Sequence, residues 1–194
     1  MKENSELRAI ARSQLQGGWL AAVGMCLIYS IILGASSSVV IGQLVLGGPL
    51  LLGFTGYYMK KARGESVELE NLFDGFKLFS SSFLLYLLNS IYVILWTCVF
   101  IVPGIVKSLS YSMAFYILRD NPDIGATEAI TRSRKMMAGY KGKLFCLYLS
   151  FIGWSFLCCL SFGIGFLWLI PYISLSVANF YEDLKQNQQT DVSN

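Results

Sequence analysis

Three long stretches of the chain, 13–59, 78–106 and 144–181, contain no Asp, Glu, Lys or Arg. Within them the apolar positions show neither of the usual surface periods. The run "FLLYLLNSIYVILW" has no polar face at helical spacing, and no segment alternates as a barrel strand would. A bilayer-spanning helix needs about 20 mostly apolar residues. The first and third stretches each hold two such helices, and the second holds one and the start of another. The spans predicted are 17–35, 41–59, 79–101, 104–118, 144–161 and 164–181. The expected fold class is therefore an all-α membrane protein. Its six transmembrane helices form three hairpins within a single integral membrane domain over residues 1–194.

The polar connections carry a different pattern, that of short amphipathic helices. Leu69, Leu72, Phe73 and Phe76 fall at i, i+3, i+4 and i+7. Further along, Ile130, Ser133, Met137 and Tyr140 share a face, with Arg132, Arg134 and Lys135 elsewhere. Asn121, Pro122 and Asp123 suit the start of that second helix, with Asn as N-cap, Pro at the first helical position and an acid in the first turn. Such helices are expected in the membrane interface or packed beneath the bundle. A weak repeat accompanies them. "AIARS" at Ala9–Ser13 returns as "AITRS" at Ala129–Ser133, and Pro49, Pro103 and Pro171 each stand near the start of a second span. The units run over about 5–63, 66–121 and 124–186.

Composition agrees with a membrane assignment: 55% of the 194 residues are hydrophobic and 14% are charged, against roughly 25% charged in a soluble domain. The placement of charge matters more. Fourteen of the 15 Lys and Arg residues, and all 12 acids, fall in the termini and in the two connections rich in polar residues. The remaining connections are uncharged. Positive loops stay cytoplasmic, so both termini are expected inside, with little protein outside. The first 16 residues are polar and of mixed charge, without a cleavage signal, so the first span is expected to be retained.

The exception is Lys107, the only charged residue inside an apolar stretch. If Pro103 opens its helix, Lys107 lies one turn in, roughly 6 Å from the outer end. Its stem either carries the ammonium to the headgroups or turns it inward toward an anionic headgroup or solute. Ser108, Ser110, Tyr111 and Ser112 follow directly, and positions 107, 111 and 114 share a face. Lys107, Tyr111 and Ser108 are thus the candidate ligand contacts. A second candidate set is the basic cluster Arg132, Arg134, Lys135, Lys141 and Lys143, which suits anionic lipid headgroups or sets topology alone. Asn89, Asn179 and Gln43 lie within spans, where polar side chains commonly bond between helices.

Familiar catalytic patterns are lacking. The chain has no histidine, which excludes a Ser-His-Asp triad and HExxH, and it has no phosphate-cradling GxxxxGK[ST]. The five cysteines lie in apolar segments without metal-ligand spacing, so no metal and no cofactor is expected. A net charge of +3 and a short basic cluster beside a span argue against nucleic acid.

The segments "PGIVKSLSYSMAFYILRDNPDIGATEAITRSRKMMAGYKGKLFCLYLSFIGW" and "PYISLSVANFYEDL", with "ELRAIARSQLQGGW" and "LFDGF", resemble an uncharacterised bacterial integral membrane family, domain-of-unknown-function family nine-seven-five. The resemblance implies a multi-pass protein of the bacterial cytoplasmic membrane and assigns no activity. The expected function is non-enzymatic: binding lipid, or helping to move a small amphipathic or anionic molecule. A scaffold or accessory subunit is the alternative. The expected partners are membrane lipids and either another membrane protein or a second copy of the chain.

Overall fold

In a computed structural model the described residues are 2–36, 40–99, 101–161 and 163–193, and they form helices joined by short turns. The helices are α1 (Asn4–Leu15), α2 (Trp19–Ser36), α3 (Val40–Ala62), a 3₁₀ helix (Leu69–Leu78), α4 (Phe79–Val99), α5 (Ile101–Tyr111), α6 (Ala114–Asp120), α7 (Ala126–Met136), α8 (Lys141–Leu149), α9 (Ile152–Leu160) and α10 (Phe166–Ser193). No strand occurs among the described residues.

The centre is built on α3 and α10. Residues 52–59 of α3 and 175–181 of α10 are buried without interruption. Such all-round burial is what an uncharged helix achieves when other helices enclose it. The 3₁₀ helix lies directly on α3, and only glycine permits the contact. A Cβ at Gly53 would sit 1.7 Å from the Leu72 carbonyl oxygen, and one at Gly75 would sit 1.9 Å from that of Pro49.

The outer helices are apolar on their outward faces. Phe156 and Leu160 of α9 are 73% and 72% exposed. Among the described residues two segments, Leu69–Cys98 and Lys141–Leu160, are long and apolar enough to cross a membrane. A third is added if Asn4–Leu15 and Trp19–Gly34, which meet at 97°, count as one broken span. Only 11% of the apolar window in Leu69–Cys98 is buried, so its apolar surface faces away from the protein. The predicted set of six is not reproduced as six continuous helices. The span predicted at 104–118 is divided at 112–113 into α5, of 11 residues, and α6, of seven, each too short to cross a bilayer of ~30 Å. The predicted 144–161 is matched by α8 and α9, which together make the Lys141–Leu160 segment that is long and apolar enough to cross. The predicted 164–181 is the first part of α10, which runs on to Ser193.

The amphipathic helices form, with different details. Leu7, Ala11 and Leu15 of α1 are fully buried. A capping box between Glu3 and Glu6 starts that helix, and Gly17, at φ +81°, allows the sharp turn into α2. In α7 the buried face is Ala126, Ala129, Ile130, Ser133 and Met136. The apolar stripes of α1 and α7 therefore face protein rather than a lipid surface. Leu69–Leu78 is 3₁₀ rather than α-helical, with Leu72 buried and Phe73 exposed. Asn121 ends α6 instead of starting α7. Its side-chain amide donates to the Ile117 carbonyl at 3.1 Å, and Gly125 is the N-cap of α7.

Candidate functional site

The connection between α6 and α7, residues 121–125, positions the site. It lets α7 fold back, so that it packs on α4, α5 and α6. Ser133 on α7 donates to the Ser110 carbonyl of α5 at 2.8 Å and fixes the register between them. Between α4, α5 and α7 lies a cavity of about 300 Å³, lined by Tyr92 and Trp96, Lys107 and Tyr111, and Thr127, Ile130, Thr131 and Arg134. The Lys107 ammonium sits 4.5 Å from the Trp96 ring centroid, within the ~6 Å range of a cation–π contact. The Tyr111 ring lies 6.0 Å from that of Tyr92.

Two cations thus line one cavity, and no acidic side chain lines it. Neither Lys107 nor Arg134 forms an ion pair among the described residues. The hydroxyls of Tyr111 and Thr127 and the two cations give the wall several donors for an anion, while the Thr131 hydroxyl donates to the Thr127 carbonyl of its own helix at 2.9 Å.

The sequence placed Lys107 near the outer end of a span and Arg134 on the inner side. Their shared cavity puts them together, because the chain turns back at 121–125 and α7 returns alongside α6 and α5. Tyr111 joins Lys107 as their common helical face predicts. Ser108 does not line the cavity: it is exposed, and its hydroxyl donates to the Ile105 carbonyl of its own helix at 2.9 Å. The basic cluster also divides. Arg132 pairs with Glu128 at 2.6 Å on the exposed side of α7. Lys143 donates to the Lys2 carbonyl. Lys135 is exposed and Lys141 half-buried, and only Arg134 reaches the cavity. Thr127, Ile130, Thr131 and Arg134 fall at i, i+3, i+4 and i+7, so one face of α7 meets the cavity.

The profile of the family described as protein of unknown function DUF975 matches residues 1–109 and 98–188. The chain belongs to this family. Comparison with curated proteins and with solved structures returns no match. The family description assigns no activity to any residue, so the chemistry of the site rests on its geometry.

A second group of charges is arranged in the opposite way. Asp120, at the end of α6, accepts from Arg63 at 2.6 Å, from Lys185 at 2.6 Å and from the Tyr181 hydroxyl at 2.9 Å. Arg63 also pairs with Glu182 at 2.7 Å. The neighbouring Arg119 reaches Asp74 at 3.2 Å, where Lys77 also binds at 2.7 Å. Burial alone would raise the Asp120 pKa, but the bonds from Lys185, Arg63 and Tyr181 outweigh it and hold the carboxyl below its ordinary value. This group joins the ends of α3 and α6 to the middle of α10. Of the other polar residues within spans, Asn179 bonds between helices as expected, donating to Gln14 at 2.8 Å. Asn89 does not: its buried carbonyl oxygen has no partner.

Proposed function

We propose that this chain is a multi-pass protein of the bacterial cytoplasmic membrane, with both termini inside, that binds the anionic headgroup of a membrane lipid between α4, α5 and α7. The observation that carries this reading is the pair Lys107 and Arg134 in one cavity with no acid in its wall. Lys107 is half-buried and Arg134 exposed at the rim, so a phosphate group between them gains from both charges without either being removed from water beforehand. Each basic group near a membrane surface contributes about 1 kcal/mol toward anionic lipid. The same hairpin carries exposed Ile94, Leu95, Ile105 and Val106, which suits acyl chains lying along its outer face. The role is one of binding rather than catalysis.

Trp96 supplies a local reporter. In a variant with Trp19, Trp154 and Trp168 changed to Phe, brominated phosphatidylglycerol should quench Trp96 at a lower mole fraction than brominated phosphatidylcholine. Lys107→Ala should narrow that difference, and Lys107→Ala/Arg134→Ala should remove it. Identical quenching by the two lipids in the Trp96-only protein would overturn the assignment.

A further inference from the structure

Elsewhere in the molecule, α1 lies against α10 much as α7 lies against α4 and α5. There too the packing leaves space, and that space has two parts. An apolar chamber of about 430 Å³ is walled by Trp19, Trp154, Trp168 and Tyr172, with Cys158 and Leu169 behind them. A polar vestibule of about 440 Å³ is walled by Arg8, Arg12, Ser5, Ser13 and Gln16. Arg12, Trp154 and Tyr172 belong to both walls, so chamber and vestibule are continuous. Each part falls within the ~300–1,000 Å³ of small-molecule sites.

The charges again stand without an acid. No Asp or Glu lines either part, and neither Arg8 nor Arg12 forms an ion pair among the described residues. The Arg8 Nε donates to the Asn4 carbonyl of its own helix at 3.3 Å. The Arg12 guanidinium stands 5.9 Å from the Tyr172 ring centroid, at the junction of the two parts. The chamber opens sideways onto the apolar surface of the protein: Trp154, Leu157 and Trp168 are each at least half exposed. Three of the chain's four tryptophans gather here. Their rings suit a ligand that is apolar at one end and charged at the other.

We infer that this is a second binding site, for a single-chain anionic amphiphile: a long-chain carboxylate or phosphate monoester. Its alkyl chain enters the chamber from the side, and its head meets Arg8 and Arg12 in the vestibule. Chamber and vestibule are matched to the two ends of such a molecule, and the two arginines select the sign of its charge. The site is separate from the Lys107 cavity and shares no residue with it.

The test uses the full chain with Trp96→Phe, so that the remaining tryptophans report this chamber alone. Dibrominated stearate is titrated into the protein in unbrominated detergent at about pH 9, where the carboxylate is ionised. The uncharged dibrominated stearate methyl ester is the control. The carboxylate should quench with an apparent affinity about tenfold higher than the ester. Arg8→Gln with Arg12→Gln should bring it down to the level of the ester, whereas Lys107→Ala should leave it unchanged. Equal quenching by carboxylate and ester in the Trp96→Phe protein would overturn the inference. So would an undiminished preference for the carboxylate in a folded Arg8→Gln/Arg12→Gln protein. The carboxylate–ester comparison decides the matter even if the double variant does not fold.

Discussion

Around Asp120, two cations and a tyrosine hydroxyl converge on one carboxylate. Around Trp96, two cations share a cavity that no carboxylate enters. Both arrangements collect basic side chains from helices distant in sequence, but they serve different ends. Paired charge fixes helix ends against one another, and its removal leaves a partner uncompensated. Unpaired charge holds little together and leaves an electrostatic demand that a ligand can meet. The contrast separates the basic residues that hold this fold from those available for binding.

The sharpest way to break the contrast is to remove one charge from each group. Asp120→Ala strips the shared acceptor from Arg63 and Lys185. Its side chain is only 8% exposed, while its partners are partly wet. The expected loss is about 3 kcal/mol, at the lower end for a broken buried pair. Lys107→Ala, which leaves no acid unpaired, should cost only about 0.5–1 kcal/mol, the contribution of its contact with Trp96. Denaturant unfolding in detergent measures both, and comparable losses would dissolve the distinction.

Acid gives a gentler version of the same experiment. The Asp120 carboxyl is held below its ordinary pKa in the fold. Its contribution is therefore complete above the unfolded value of about 3.9 and is lost as pH falls through the lower folded value. The melting temperature of the wild type should fall over that acid window, and Asp120→Asn should flatten part of the fall. A wild type and a variant with parallel acid profiles would show that the carboxyl is not stabilised by the fold.

Binding should respond in the reverse order. Lys107→Ala or Arg134→Ala should each weaken phosphatidylglycerol binding at Trp96 by about fivefold, from about 1 kcal/mol per basic group. Ser108→Ala, outside the cavity wall, should change nothing. The smallest effect belongs to the exposed pair of Arg132 with Glu128, four residues apart on α7. Arg132→Ala should cost about 0.3–0.5 kcal/mol of stability and leave lipid binding at Trp96 intact.

Much of the fold was legible because long uncharged stretches leave a chain few alternatives to helix. α2, α3 and α4 begin within two residues of the predicted spans. The break between α5 and α6 was not legible, since Ser112 and Met113 are neither Pro nor Gly and carry no local stop signal. The return of α7 through 121–125 is what brings Arg134 beside Lys107. The site was half legible. Lys107 stood out by its charge and Tyr111 by its spacing, whereas Arg134 was hidden among four other basic residues that look alike until packing divides them. Arg8 and Arg12 were read only as signals of topology. Nothing local to α1 reveals that tryptophans more than 140 residues away come to lie beside it.

The most direct measurement is native mass spectrometry of the protein released gently from membranes containing phosphatidylglycerol, for the wild type and for Lys107→Ala/Arg134→Ala. The wild type should retain one more phosphatidylglycerol than the variant, with both chains folded and the sites elsewhere still filled. Equal numbers of retained lipid in the two proteins would contradict the assignment of Lys107 and Arg134 as a lipid headgroup site.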